Sequence, residues 1–115
     1  MQYIMMIYEN EANWNGLSQE QQAGMIKEYT TFSETAKNSG QLRASSRLQP
    51  VRSATTVRVR NGKVQSTDGP FAETREQLGG FYIVEAANLD DVLQLAAKIP
   101  AARTGSVEVR PLWPM

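Results

Sequence analysis

The segment QYIMMIY at residues 2–8 decides the fold. Apolar side chains occupy both alternating sets of positions in this segment, so a β-strand formed here is apolar on both faces. Residues 80–86 have the same character, with an unbroken apolar run at positions 81–84. The two segments predict strands of a sheet that is covered on both sides.

A helix is predicted after the first strand. Ser18 begins it, and Gln21 three residues later completes the pattern of a capping box. Gly40 is suited to the left-handed cap that ends it. A weak strand at residues 41–48 comes next. The buried stripe of the helix is predicted to consist of Met25, Ile26, Tyr29, Phe32 and Ala36.

A β-hairpin is predicted between the two halves of the chain. Residues 55–60 alternate in polarity, and the Asn61-Gly62 dipeptide that follows is the strongest short signal for a two-residue hairpin turn. Residues 63–67 should therefore pair back on the first strand. In this arrangement the valines of residues 55–60 point inward and the arginines are solvated.

The second half of the chain repeats the strand–helix–strand order. Residues 72–77 are predicted to form a short helical turn, Asn88 caps a helix, and residues 106–112 form the last strand. The helix should face the core with Leu89, Val92, Leu93 and Ala96. Two β-α-β units in tandem describe a ferredoxin-like α+β sandwich, here with an inserted β-hairpin.

This architecture predicts a homodimer. Its helices cover one face of an antiparallel sheet, whereas the strands at residues 2–8 and 80–86 are apolar on both faces. Large exposed apolar patches are rare on monomers. A second copy of the chain is therefore expected to cover the other face around a two-fold axis.

Composition narrows the chemistry. The chain has 115 residues, which predicts one domain over residues 1–115, and it contains no cysteine and no histidine. Disulfides, thiolate nucleophiles, Ser-His triads and imidazole metal sites are thereby excluded. Neither a dinucleotide-binding nor a phosphate-loop glycine motif occurs, so no cofactor is expected. The absence of a long apolar run and of a signal-like start predicts a cytoplasmic protein without a membrane segment.

Charge is unevenly distributed although the chain is neutral. Residues 41–63 carry six basic residues and no acidic one, a net of +6, whereas residues 1–40 and 64–115 each have a net of −3. The basic stretch is either an anion-binding surface or a set of solvated arginines. It contains no aromatic residues, and with the zero net charge this argues against a nucleic-acid partner.

Residues 67–80, TDGPFAETREQLGG, resemble the signature of the DGPF proteins of the YCII-related superfamily. Residues 1–8, 99–103 and 105–111 are similar to the family pattern as well. The resemblance implies a dimeric α+β barrel built on a ferredoxin-like protomer. Some relatives are thought to be lyases or isomerases of small acids that use a His-Asp pair, and DGPF members often accompany extracytoplasmic-function sigma factors. Thr104 occupies a position where similar sequences can carry histidine, so a mechanism that needs imidazole is not expected for this chain.

Asp68 is the candidate catalytic residue. It ends a strand on a turn that Pro70 restricts, which suits a general base, and Phe71 is expected to anchor that turn in the core. Alternatively, Asp68 forms an Asx-turn with its own backbone. Glu73 and Glu76 are near Asp68 in the sequence and are interpreted as solvated. The three acidic residues do not have the spacing of a calcium-binding loop, so no metal is expected.

The candidate substrate-binding residues are Tyr8, Arg47, Phe71 and Arg110. Tyr8 ends the first strand, and Arg110 lies near the end of the last, where its planar guanidinium suits a carboxylate. The alternative is a core tyrosine and an Arg110 paired with Glu108 on the same strand face.

Two functions remain open from the sequence. One is a cytosolic protein that binds a small organic acid near the dimer interface, and converts it by a lyase- or isomerase-like reaction if it is an enzyme. Asp68 would then be the base, and Arg110 or Arg47 would hold the carboxylate. The other is a non-catalytic dimeric regulatory module linked to a sigma factor or a stress response.

Overall fold

The structure, a computed structural model, describes residues 1–114 and contains six strands and four helices within them. In chain order they are β1 (Gln2–Glu9), α1 (Glu11–Asn15), α2 (Gln19–Asn38), β2 (Leu42–Arg47), β3 (Thr55–Arg60), β4 (Lys63–Asp68), β5 (Gln77–Glu85), α3 (Leu89–Ala96), α4 (Ala101–Thr104) and β6 (Ser106–Pro111). The predicted strands and both longer helices are confirmed. The short helices α1 and α4 and a 3-10 turn at Val51–Ser53 were not expected. The helical turn predicted at residues 72–77 is wrong, because this segment is irregular until β5 begins.

Four strands form one antiparallel sheet in the order β2-β5-β1-β6. At its centre Ile4 of β1 lies between Ile83 of β5 and Arg110 of β6. The α+β class with antiparallel sheets is therefore confirmed. In the single chain this sheet is open, with β2 and β6 as its edges, and it does not close into a barrel within residues 1–114.

The core lies between one face of this sheet and the helices. Phe32 of α2 meets Tyr82 of β5 edge-on, with ring centroids 5.0 Å apart. The Tyr82 hydroxyl and the Ser33 hydroxyl form a hydrogen bond of 2.9 Å, so the buried ring keeps a partner for its polar end. The buried residues of this face and of the helices above it are Tyr3, Met5, Ile7, Phe32, Ala36, Tyr82, Val84, Val92, Ala96, Ile99 and Ala101.

The helix starts follow the predicted caps. Gln21 N–H donates to Ser18 Oγ at 3.1 Å, and Ser18 N–H donates to Gln21 Oε1 at 2.9 Å, which is the complete capping box. Asn88 Oδ1 accepts from Asp91 N–H at the start of α3. The apolar stripes are narrower than expected, because Ile26, Leu89 and Leu93 are 49%, 48% and 47% exposed. No helix within residues 1–114 combines the length and apolarity needed to cross a membrane.

The hairpin β3–β4 projects from this body, and we call residues 55–68 the arm. Its turn is confirmed, with φ of 54° at Asn61 and 74° at Gly62, the positive values a type I′ turn needs. Its two strands pair only with each other. The predicted inward orientation of the valines is wrong: Val57, Val59 and Val64 are 62%, 58% and 75% exposed, because no part of the same chain covers the arm.

The single chain is extended for its size. Its radius of gyration is 16.1 Å, whereas about 13 Å is typical for this length. Its accessible surface is 8325 Å², against about 6300 Å² for a monomer of this mass. The chain therefore exposes about 2000 Å² more than a typical monomer of its size.

Candidate functional site

The helix-free side of the four-stranded sheet is a second apolar surface, which we call the open face. It consists of Ile4, Met6, Tyr8, Leu78, Phe81 and Ile83. Strand alternation sends these side chains of β1 and those of Phe81 and Ile83 away from the helices, because their neighbours along the strands point into the core. Leu78 joins this face through a register shift that places it opposite Tyr8. All six are only half-buried in the single chain. The open face is therefore an apolar surface of the sheet that the helices do not cover.

Tyr8 and Arg110 both lie on the side of the open face. Tyr8 is opposite Ser106 and Arg110 is opposite Ile4 on the neighbouring strand, so they are about 13 Å apart along the sheet. Tyr8 is half-buried and Arg110 is exposed. Arg110 Nε donates to the Glu108 carboxylate, as the alternative reading of this arginine required.

The Glu108 pair leaves most of the Arg110 donors free. The pair uses Nε, and the two terminal nitrogens of the guanidinium have no hydrogen-bond partner in the described part of the chain. Four N–H groups therefore remain, in the planar arrangement that binds a carboxylate through two parallel hydrogen bonds. Glu108 therefore holds the guanidinium through Nε alone.

Arg47 is on the other side of the sheet. It is the last residue of β2 and pairs with Gly80, which belongs to the helix-facing set of β5. Its guanidinium carbon lies 5.3 Å from the centre of the Trp14 ring on α1, a cation–π contact. In the single chain Arg47 and Arg110 therefore lie on opposite faces and opposite edges of the sheet, and they do not form one clamp.

Asp68 and Phe71 lie at the base of the arm. Asp68 ends β4 opposite Thr55 and is exposed, and its carboxylate accepts no hydrogen bond within residues 1–114, so the Asx-turn is not formed. Phe71 is 74% exposed, so the prediction that it anchors the turn in the core is wrong. The turn is held instead by its backbone, because Gly69 N–H donates to Ala54 O at 2.7 Å.

A groove of the single chain lies between β1, α1 and the first half of α2. It has a volume of about 420 Å³ and an apolar floor formed by Trp14, Leu17 and Met25. The carboxylates of Glu9 and Glu28 stand at its rim. Sequence reasoning missed this groove because α1 was taken as a loop.

The carboxylates at this groove already have partners. Arg103 donates to both oxygens of Glu28 at 2.9 and 3.1 Å, and the Thr104 hydroxyl donates to Glu9. Burial and the Glu9 carboxylate raise the pKa of Tyr29, beneath the groove, to about 12. The two carboxylates of Glu9 and Glu28 make this groove unfavourable for a carboxylate ligand.

The remaining sequence candidates have structural partners. Glu76 Oε1 accepts from the Ser106 hydroxyl at 2.8 Å, which joins the β5 entry to β6. A Cβ on Gly80 would lie 2.8 Å from Ser46 O of β2, so this glycine permits the close approach of the two strands within one chain. Within residues 1–114 no three or more acidic side chains converge as a metal-ligand group.

Comparison with known proteins gives two matches. A model of the YCII-related domain matches residues 1–115. An uncharacterised protein of Rhizobium meliloti (strain 1021) is 37% identical over 114 residues, which is 97% of this chain and 92% of that protein.

Proposed function

We propose that this chain, which belongs to the YCII-related family, is a homodimeric protein that binds a small organic acid in a cleft beside the open faces of two protomers. The observation that carries the proposal is the open face itself, with Tyr8 and the free donors of Arg110 at its margin. An apolar surface with one carboxylate-binding group fits a small molecule that has an apolar body and an acidic end.

The fold supports the dimer. The order β2-β5-β1-β6, with α2 and α3 on one face, supports a ferredoxin-like protomer. Two such sheets packed through their open faces would form an α+β barrel with the helices outside. Sheets pack face to face about 10 Å apart, so this arrangement would bury side chains such as Phe81 and Ile83.

Any chemistry in such a cleft depends on carboxylates and hydroxyls. The chain has no histidine and no cysteine, so a proton abstraction α to a carboxylate, as a lyase or isomerase requires, would fall to Asp68 as the base. The exposed Asp68 carboxylate accepts no hydrogen bond within residues 1–114, and Arg110 would orient the substrate. The cytoplasmic location expected from the sequence stays a prediction.

A thermal-shift screen of mono- and dicarboxylates with two to six carbons tests the binding. An acid present at 100 times its dissociation constant adds about 2.7 kcal/mol to the stability of the fold, which is a shift of several degrees in the melting temperature. Arg110→Gln and Asp68→Asn should each abolish the shift and leave the melting temperature of the free protein unchanged. Arg43→Gln, at the opposite edge strand, is the matched control and should keep the shift.

The alternative is a non-catalytic regulatory module that binds another protein, such as a sigma factor. The exposed arm favours it, because an apolar and basic ribbon is a plausible contact for an acidic protein surface. No shift with any acid, together with stoichiometric binding of the purified sigma factor, would replace the first proposal with this one.

A further inference from the structure

The arm has two chemically different faces. The pairs Val59–Val64 and Thr55–Asp68 lie on one face, and Val57 shares it. The opposite face carries the cations of the hairpin, Arg58, Arg60 and Lys63. The Asp68 carboxylate therefore projects from the same side of the arm as the three exposed valines.

This ribbon lacks support from its own chain. None of the hydrogen bonds made by residues 55–68 reaches the four-stranded sheet, and the arm is tied only to its base at residues 54, 69 and 71. An isolated two-stranded hairpin is marginally stable in water. A hairpin with three valines more than half exposed on one face is therefore built for contact with another surface.

Area identifies that surface as a second copy of this chain. The arm's three cations lie on the face opposite the valines, so the contact made by the valine face is apolar rather than ionic. The surplus surface of about 2000 Å² per chain exceeds the roughly 800 Å² that each partner buries in a standard interface, and so it can include both the open face and the arm.

We propose that the arm of each protomer packs its valine face against the partner protomer, and that it delivers Asp68 and Phe71 in trans to the partner's cleft. This inference rests on the dimer of the proposed function and adds to it. The site is then composite: Tyr8 and Arg110 come from one chain, and the carboxylate comes from the other.

Single-cysteine labelling tests the contact, because the chain has no cysteine of its own. Val64→Cys and Gln65→Cys are adjacent positions on opposite faces of the arm, and both side chains are exposed in the single chain. Each variant carries a nitroxide spin label, and label mobility is measured over a dilution series alongside sedimentation of the unlabelled protein. The Val64 label should become immobilised as the dimer forms, whereas the Gln65 label stays mobile.

The other outcomes each overturn the inference in a distinguishable way. Mobile labels at both positions in a sedimenting dimer would remove the arm contact and leave the dimer of the proposed function intact. A Val64 label that is immobile at monomer concentrations would mean that the arm folds onto its own chain. A wild-type chain that is monomeric at every concentration would end both proposals.

Hydrogen exchange of the unlabelled chain is the control for a spin label that disturbs packing. Amides of β3 and β4 should exchange at least tenfold more slowly in the dimer than in the diluted monomer. Equal rates in the two states would contradict the docked arm.

Discussion

Replacing Ile83 with lysine should separate the dimer while each protomer stays folded. Ile83 lies near the middle of the open face, between Ile4 of β1 and Ala44 of β2. It is half-buried in the single chain, so a lysine there can lay its methylene stem along the sheet and keep its ammonium in water. In the dimer the same ammonium would be enclosed between two apolar sheets.

The expected size of the effect follows from these two environments. Loss of the isoleucine from a buried seam costs about 2 kcal/mol, and desolvation of an unpaired ammonium adds at least about 2 kcal/mol more. A two-fold axis places two such lysines in one interface, which brings the total to about 8 kcal/mol. The dissociation constant should therefore rise by about six orders of magnitude.

Sedimentation at micromolar concentration measures this change. The wild-type chain should sediment at about twice 12.8 kDa and the variant at 12.8 kDa. Circular dichroism then verifies that the variant is folded. Leu93→Lys is the matched control, because Leu93 is an apolar residue that is 47% exposed on the helix side, and this variant should remain dimeric.

Two results would refute the reasoning. If Ile83→Lys is folded and still dimeric, the open face is not the seam. If Leu93→Lys dissociates as readily, the helix side of the molecule takes part in the interface.

Two further predictions concern stability. Gly105→Ala should lower the free energy of unfolding by about 2–3 kcal/mol in urea titration, because its Cβ would clash with the backbone oxygen of Tyr8. Gly24→Ala places its Cβ in open space and should be neutral or slightly stabilising. The second prediction concerns Tyr29, whose pKa is about 12 in the folded state and near 10 in the unfolded state. The wild-type fold therefore loses stability as the pH rises from 10 to 12, because the unfolded state releases the proton first. Tyr29→Phe should remove this part of the pH dependence of stability. If thermal melting shows that the stability of both proteins falls equally with pH in this window, the second prediction is contradicted.

Local sequence patterns were sufficient to predict the elements that depend on neighbouring residues. The capping box of Ser18 and Gln21 and the positive φ angles at Asn61 and Gly62 depend on residues within three positions of one another. Such interactions do not depend on the rest of the fold, so their sequence patterns predict the helix start and the hairpin turn. Strand alternation likewise predicted the two faces of β1 and β5.

Helix α1 shows why other elements escaped prediction. It has five residues, too few to be stable alone. Glu11 N–H donates to Gln77 Oε1 at 2.9 Å, and Glu11 Oε2 accepts from Val51 N–H at 3.0 Å. These partners are 66 and 40 residues away in the sequence, so the helix is held by contacts that no local pattern reveals. The groove that α1 helps to line was hidden for the same reason.

The predicted site residues fall on different parts of the molecule, and the fold explains why. Strand parity places Tyr8 and Arg110 on the open face and Arg47 on the helix side, against Trp14. Asp68 ends the arm and Phe71 follows it at its base, and the arm makes no hydrogen bond to the sheet of its own chain. A single protomer therefore holds the arginine and the aspartate on separate bodies, and an arm from a second protomer would bring the Asp68 carboxylate to Arg110.

A site divided in this way has a specific consequence for mixed dimers. If Asp68 acts in trans, a heterodimer of an Asp68→Asn protomer and an Arg110→Gln protomer contains one site with both native residues and one with neither. If both residues act in the same chain, the heterodimer contains no intact site. Half-stoichiometric acid binding by the mixed dimer, where each homodimeric variant binds none, is therefore the signature of a shared site.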